Sequence, residues 1–199
     1  MRAETGTALL LRLTLMRMAL VPAVMGLILL EGDWAHAETA AAAVFAVAAV
    51  TDFVDGHLAR RWAVTSSLGS FLDTTADKLL ASGALIALVA IDRTSAWIAA
   101  VIVARELVIL ALRGVVATEG GKLEPSVWGK LKTNVQFLAI LLAILRPGDP
   151  LGPFYLDEWV MLVAAVITVA SALEYLTRFG SVLASEGAHP MGPAHLRDE

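Results

Sequence analysis

Six apolar runs, at residues 9–30, 38–58, 73–91, 95–117, 128–146 and 157–179, leave this chain few ways to fold. Each is close to the roughly 20 residues that a helix needs to cross a bilayer. In lipid, every backbone amide and carbonyl must be satisfied inside the protein, so runs of this length are predicted to be helices. Their Ala, Leu and Val content lacks the alternation of membrane β-strands. The polar turn Ile91-Asp92-Arg93-Thr94 divides the third run from the fourth, and Arg146-Pro147-Gly148-Asp149-Pro150 ends the fifth. With 58% hydrophobic and 17% charged residues and a mean hydropathy of +0.73, the expectation is an all-α integral membrane protein with six transmembrane helices.

The basic residues orient it. With a cytoplasmic N-terminus, all but two of the 15 Lys and Arg fall in or toward the cytoplasmic side, and only Arg93 and Arg146 face out. The opposite loops carry Glu31, Asp33, Glu38, Asp92, Asp149, Asp157 and Glu158. Trp34, Trp62, Trp97, Trp128 and Trp159 all stand at predicted span ends, as an aromatic belt requires. Both termini are therefore expected in the cytoplasm, in a multi-pass protein of the cell membrane. An Arg-bearing start followed by an apolar run and Ala35-His36-Ala37 also resembles a signal peptide; the length of the run and the five spans after it favour an uncleaved first span. Residues 1–184 read as one membrane domain and 185–199 as a disordered polar tail. A net charge of −4 with scattered basic residues disfavours nucleic acid as a partner, and the lack of cysteine excludes disulfides and thiolate chemistry.

Against this apolar background stand four carboxylates within residues 52–77: Asp52, Asp55, Asp73 and Asp77. A charge deep in a span costs about 2.5–3.5 kcal/mol on insertion scales, so it calls for a partner or a task. On helices, Asp52 and Asp55 share one face and Asp73 and Asp77 share another. If those faces meet, the carboxylates repel unless a hard divalent cation such as Mg²⁺ or Mn²⁺ sits among them. Gly56 and Ala59 flank the acidic face with almost no side chain, and Arg60 adds a guanidinium suited to phosphate. Metal, small-residue shelf and arginine together describe a seat for a diphosphate.

The stretch reads D-x2-D-G-x2-A-R-x8-G-x3-D-x3-D, and all eight specified positions match the signature of the CDP-alcohol phosphotransferases, which this chain resembles over nearly all of residues 9–180. The resemblance implies a six-helix membrane fold in which Asp52, Asp55 and Asp73 hold two Mg²⁺ or Mn²⁺ ions. It makes Asp77 the general base at those metals, with a purely metal-binding role as the alternative. By the same resemblance Asp52, Gly56, Ala59, Arg60 and Gly69 contact the CDP moiety, and the enzyme is a homodimer. His57 occupies an unspecified position of the motif and reads as a bystander.

The acceptor has to be read from a second basic set: Arg105, Arg113, Lys130 and Lys132, toward the cytoplasmic ends of the fourth and fifth runs. These could hold the phosphate of a phosphorylated alcohol. Positive-inside topology would also put basic residues there and is the preferred reading of Lys122, and Arg105 could instead form a structural pair with Glu106. The groups Asp77-Lys78, Ala104-Arg105-Glu106, Leu112-Arg113 and Gly129-Lys130-x-Lys132-Thr133 resemble the branch that forms phosphatidylglycerophosphate, as do Leu13-Thr14-x-x-Arg17 and Ala49-Val50-Thr51-Asp52. Leu11 stands where that branch carries Asn, and Thr74 where it carries Pro. The resemblance thus implies transfer of a phosphatidyl group from CDP-diacylglycerol to sn-glycerol 3-phosphate, among membrane lipids. Inositol phosphate or phosphatidylglycerol as acceptor, an intramembrane prenyltransferase, and a cation or proton transporter are the rival readings.

Overall fold

A computed structural model describes the backbone of residues 2–62, 67–118 and 127–186, and side chains at 11–51, 69, 71–116 and 131–177. The described residues form six α-helices and no strands: α1 Arg2–Leu29, α2 Ala37–Trp62, α3 Ser67–Ala90, α4 Ala96–Thr118, α5 Val127–Leu145 and α6 Leu156–Glu186. Every apolar run is a helix. Several helices outrun the apolar stretch that marks them, because polar residues such as Arg60 continue the backbone ladder once it has nucleated. The expected tail begins inside α6, whose last residue is Glu186, and residues 187–199 lie outside the described residues.

Helix α3 sits at the centre, packed on α1, α2, α4 and α5, while α6 packs on α5 and α4. Small residues permit this: Ala76, Ala81, Ala84 and Ala87 are buried along α3, and Ala139 and Ala143 along α5. Leu80, Leu85 and Leu88 fill the remaining space with Val24 and Ile28 of α1, Phe45 of α2 and Ile140 of α5. The outer surface is apolar too, with Val47, Ile86, Leu107, Val166 and Leu173 exposed. Among the described residues, two helices hold stretches long and apolar enough to cross a membrane, Leu11–Leu29 and Leu156–Thr177, and under a third of each is buried. An exposed apolar face of that extent suits lipid.

The turns at one end are closed by specific chemistry. Asp92 has a φ of 55°, and the bonds Asp92 N–H to Val89 O (3.2 Å) and Arg93 N–H to Leu88 O (2.9 Å) complete a Schellman cap on α3. That cap aims Arg93 inward. Its Nη1 donates to the carbonyls of Ala143 and Ile144 at 3.2 and 3.0 Å, the last turn of α5. Its Nη2 meets Glu38 at 2.7 Å and also pairs with Glu31. Burial alone would lower the Arg93 pKa, but the two carboxylates outweigh it and raise it. Arg146, with a φ of 37°, ends α5 through its N–H to Leu142 O at 2.7 Å. It lies 4.4 Å over the Tyr155 ring and reaches Glu158 at 3.2 Å. Glu158 in turn accepts the Tyr155 N–H at 2.8 Å, one half of a capping box that starts α6. Trp34, Trp97 and Trp159, all exposed, ring this same end.

Two substitutions test the packing. A Cβ on Gly83 would lie 2.7 Å from Val21 Cγ1 and 3.1 Å from Met25 Sδ, and the β-branched valine cannot rotate away. Gly83→Ala is expected to lower the thermal unfolding midpoint in detergent, by the equivalent of about 1–3 kcal/mol. Gly26 has open space around it, so Gly26→Ala should leave the midpoint unchanged or raise it by up to about 1 kcal/mol. Arg93→Gln, which leaves two carboxylates and two helix-end carbonyls without their cation, is expected to destabilise by roughly 2–4 kcal/mol.

Candidate functional site

All four signature aspartates lie on helical backbone, Asp52 and Asp55 in α2, Asp73 and Asp77 in α3. Only residues 63–66 separate the two helices, so their facing ends are at most about 19 Å apart, and α2 packs on α3. The spacing argument for shared faces therefore holds for the backbone. The side chains of Asp52, Asp55, Ala59 and Arg60, with Gly56 among them, lie outside the described residues, as do those of His57 and Lys130; Lys122 lies wholly outside.

On α3 the carboxylates are placed by cations. Asp73 Oδ1 accepts a 3.0 Å bond from Arg17 Nη1 of α1, and Arg17 is only 1% exposed. Asp77 Oδ2 lies 2.9 Å from Lys78 Nζ. The same ammonium is 2.9 Å from Oε2 of Glu106 on α4, a carboxylate 2% exposed. Glu106 Oε1 pairs with Lys132 of α5, which is equally buried. One carboxylate thus gathers lysines from two other helices, and one of those lysines holds Asp77. Gly69 lies one turn before Asp73, partly exposed.

Arg105 answers the choice that the sequence left open. Arg105 does pair with Glu106, but at a long 3.6 Å, and its closer contact lies on α6. It donates to Ser171 Oγ of α6 at 2.7 Å and lies 5.7 Å over the Tyr175 ring. Glu106 takes Lys78 and Lys132. Arg113 lies two turns further along α4, half-buried and engaged in contacts of its own. Of the expected acceptor set, the structure therefore brings Lys132 and Arg105 to Glu106, beside Asp77, and leaves Arg113 further along the helix.

Three participants were absent from the sequence-derived site: Arg17, Lys78 and Glu106. Each carried a signal, being a charge inside an apolar run. In sequence Arg17, Lys78 and Glu106 stand in the branch motifs, Arg17 and Lys78 also as cytoplasmic-side charges and Glu106 as a candidate partner of Arg105, none of them in the expected site.

The donor set fits a hard divalent cation. Asp73 and Asp77, one turn apart on α3, present carboxylate oxygens, the donors that Mg²⁺ and Mn²⁺ prefer, and each described cation contact engages one oxygen of its carboxylate. Among the described residues no cluster of three or more His, Cys, Asp or Glu is assembled.

Residues 11–170 match the family model for CDP-alcohol phosphatidyltransferase. A relative from Bacillus subtilis (strain 168) is 37% identical over 179 residues, covering 84% of this chain and 92% of its own length. Relatives from Sodalis glossinidius (strain morsitans) and Escherichia coli (strain K12) are each 41% identical, over 82% and 83% of this chain and 90% and 91% of theirs. All three bear the name CDP-diacylglycerol–glycerol-3-phosphate 3-phosphatidyltransferase.

The buried ion cluster makes a prediction of its own. Removing one partner of a buried pair leaves an uncompensated charge, at a cost of about 3–5 kcal/mol. Lys132→Met should lower the thermal midpoint accordingly. Glu106→Gln combined with Lys132→Met should recover much of the loss, and the two effects compared singly and together measure the coupling.

Proposed function

The chain belongs to the CDP-alcohol phosphatidyltransferase family, and from that membership we propose that it transfers the phosphatidyl group of CDP-diacylglycerol to sn-glycerol 3-phosphate. The products are phosphatidylglycerophosphate and CMP. The observation that carries this reading is the likeness, over more than four-fifths of the chain, to relatives whose shared name states that reaction.

Asp77 is the general base: its carboxylate takes the proton of the acceptor hydroxyl, whose oxygen attacks the β-phosphorus while the bond to CMP breaks. Lys78, 2.9 Å from Asp77 Oδ2, fixes the orientation of that carboxylate. Arg17 does the same for Asp73. Two divalent ions, Mg²⁺ or Mn²⁺, held by Asp52, Asp55, Asp73 and Asp77, would neutralise the diphosphate and the charge on departing CMP. Gly56, Ala59, Arg60 and Gly69, with Asp52, form the CDP-binding face. Arg105, Arg113, Lys130 and Lys132 supply the positive charge for the acceptor's phosphate.

The protein spans the cell membrane with six helices, both termini and the aspartates on the cytoplasmic side, and works as a homodimer. Its outward apolar surface supports the membrane reading. Orientation is supported by Arg93 and Arg146, the two outward-facing basic residues, which share the end of the bundle ringed by tryptophans and opposite the aspartates.

The test is CMP release by the purified protein in mixed micelles of CDP-diacylglycerol with Mg²⁺, offering sn-glycerol 3-phosphate or inositol phosphate separately. Release with glycerol 3-phosphate alone, abolished by EDTA and reduced about 10²–10⁴-fold in Asp77→Asn, is the expected outcome. Release only with inositol phosphate would reassign the acceptor and keep the rest.

A further inference from the structure

Of the described buried charges near Asp77, Glu106 serves no step of the reaction described above. Glu106 is 2% exposed and belongs to neither the metal-ligand set nor the cationic acceptor set. A carboxylate placed only to hold two helices together needs one cation. Glu106 has lysines from two different helices, Lys78 of α3 and Lys132 of α5, with Arg105 of its own helix 3.6 Å away. One of those lysines, Lys78, also donates a 2.9 Å hydrogen bond to Oδ2 of Asp77.

Geometry gives this arrangement a purpose. An ammonium has three N–H donors, freely rotating on a flexible stem. Tethered to Asp77 alone, Lys78 could straddle both carboxylate oxygens and compete with the acceptor hydroxyl for them. Glu106 draws it back. With Oε2 of Glu106 and Oδ2 of Asp77 both 2.9 Å from Nζ, the ammonium is held to one oxygen of Asp77, and Oδ1 is left for the proton. The opposite oxygen of Glu106 holds Lys132, a cation of the acceptor set, in the same frame.

Resting on the reading of Asp77 as base, we infer that Glu106 is a positioning residue: through Lys78 it sets the orientation of Asp77, and through Lys132 it registers the acceptor's phosphate against that base. It touches neither substrate. Its effect therefore falls on the rate of the bound complex and on the acceptor, and spares the nucleotide-lipid.

The experiment uses the full chain in mixed micelles. Glu106→Asp keeps the buried charge, and so the fold, but withdraws the carboxylate by one methylene. Expected are an unchanged unfolding midpoint within about 2 °C, kcat lowered about ten-fold or more, KM for CDP-diacylglycerol within about two-fold of the starting protein, and a raised KM for glycerol 3-phosphate. Glu106→Gln should lower kcat further. In a Lys78→Gln background, Glu106→Gln should have little additional effect on kcat, since the route through Lys78 is already cut. A stably folded Glu106→Asp with kcat within about two-fold of the starting protein overturns the inference, as does full additivity of the Lys78 and Glu106 effects. Asp77→Asn separates the two levels. If it is inactive while Glu106→Asp runs at the normal rate, only the positioning role falls; if Asp77→Asn retains its rate, the base assignment falls and the inference with it.

Discussion

A carboxylate in the interior of an apolar bundle cannot remain ionised without cations around it, and Glu106 is where this constraint is met. Its two oxygens take lysines from α3 and α5, so three helices are held at one depth by charges that would each be costly alone. The position of Asp77 follows from that, because Lys78 is shared between it and Glu106. Asp73 is set the same way by Arg17 of α1. Carboxylates that the chemistry needs are thus oriented by cations that the bundle needs for its own neutrality.

The two ends of the molecule solve the problem of polar groups differently. At the Arg93 end, backbone and charge close on each other: the Schellman cap of α3 delivers a guanidinium to the last carbonyls of α5 and to two glutamates. Arg146 with Tyr155 and Glu158 closes the next turn. At the other end, Asp73 keeps about a third of its surface open despite its bond to Arg17. The closed Arg93 end gives the bundle a rigid base for the carboxylates that α3 carries, as a ligand-binding site on helical scaffolding requires. The close approach of α3 to α1 at Gly83 couples the two, since α1 carries Arg17 and α3 carries both aspartates.

Much of this was legible beforehand, for identifiable reasons. Apolar runs of spanning length have one economical backbone solution, and all six are helices. The i, i+3 and i, i+4 spacings of the aspartates needed only a helix beneath them. Pairing was harder to read. Arg105 and Glu106 are adjacent in sequence and do pair, at 3.6 Å, yet Glu106 also takes lysines 28 and 26 positions distant, which nothing in the local sequence announces. Arg17 looked like a topology charge because its partner lies 56 residues away.

Sequence alone determined the helices, their number, the eight-position signature and hence the family, because those depend on local periodicity and on residue types at short, fixed offsets. Which charges neutralise which was decided only by the tertiary structure. An ion pair in an apolar interior depends on which helices touch and at what depth, and that is settled by small residues such as Gly83 and Ala84 letting backbones of different helices approach.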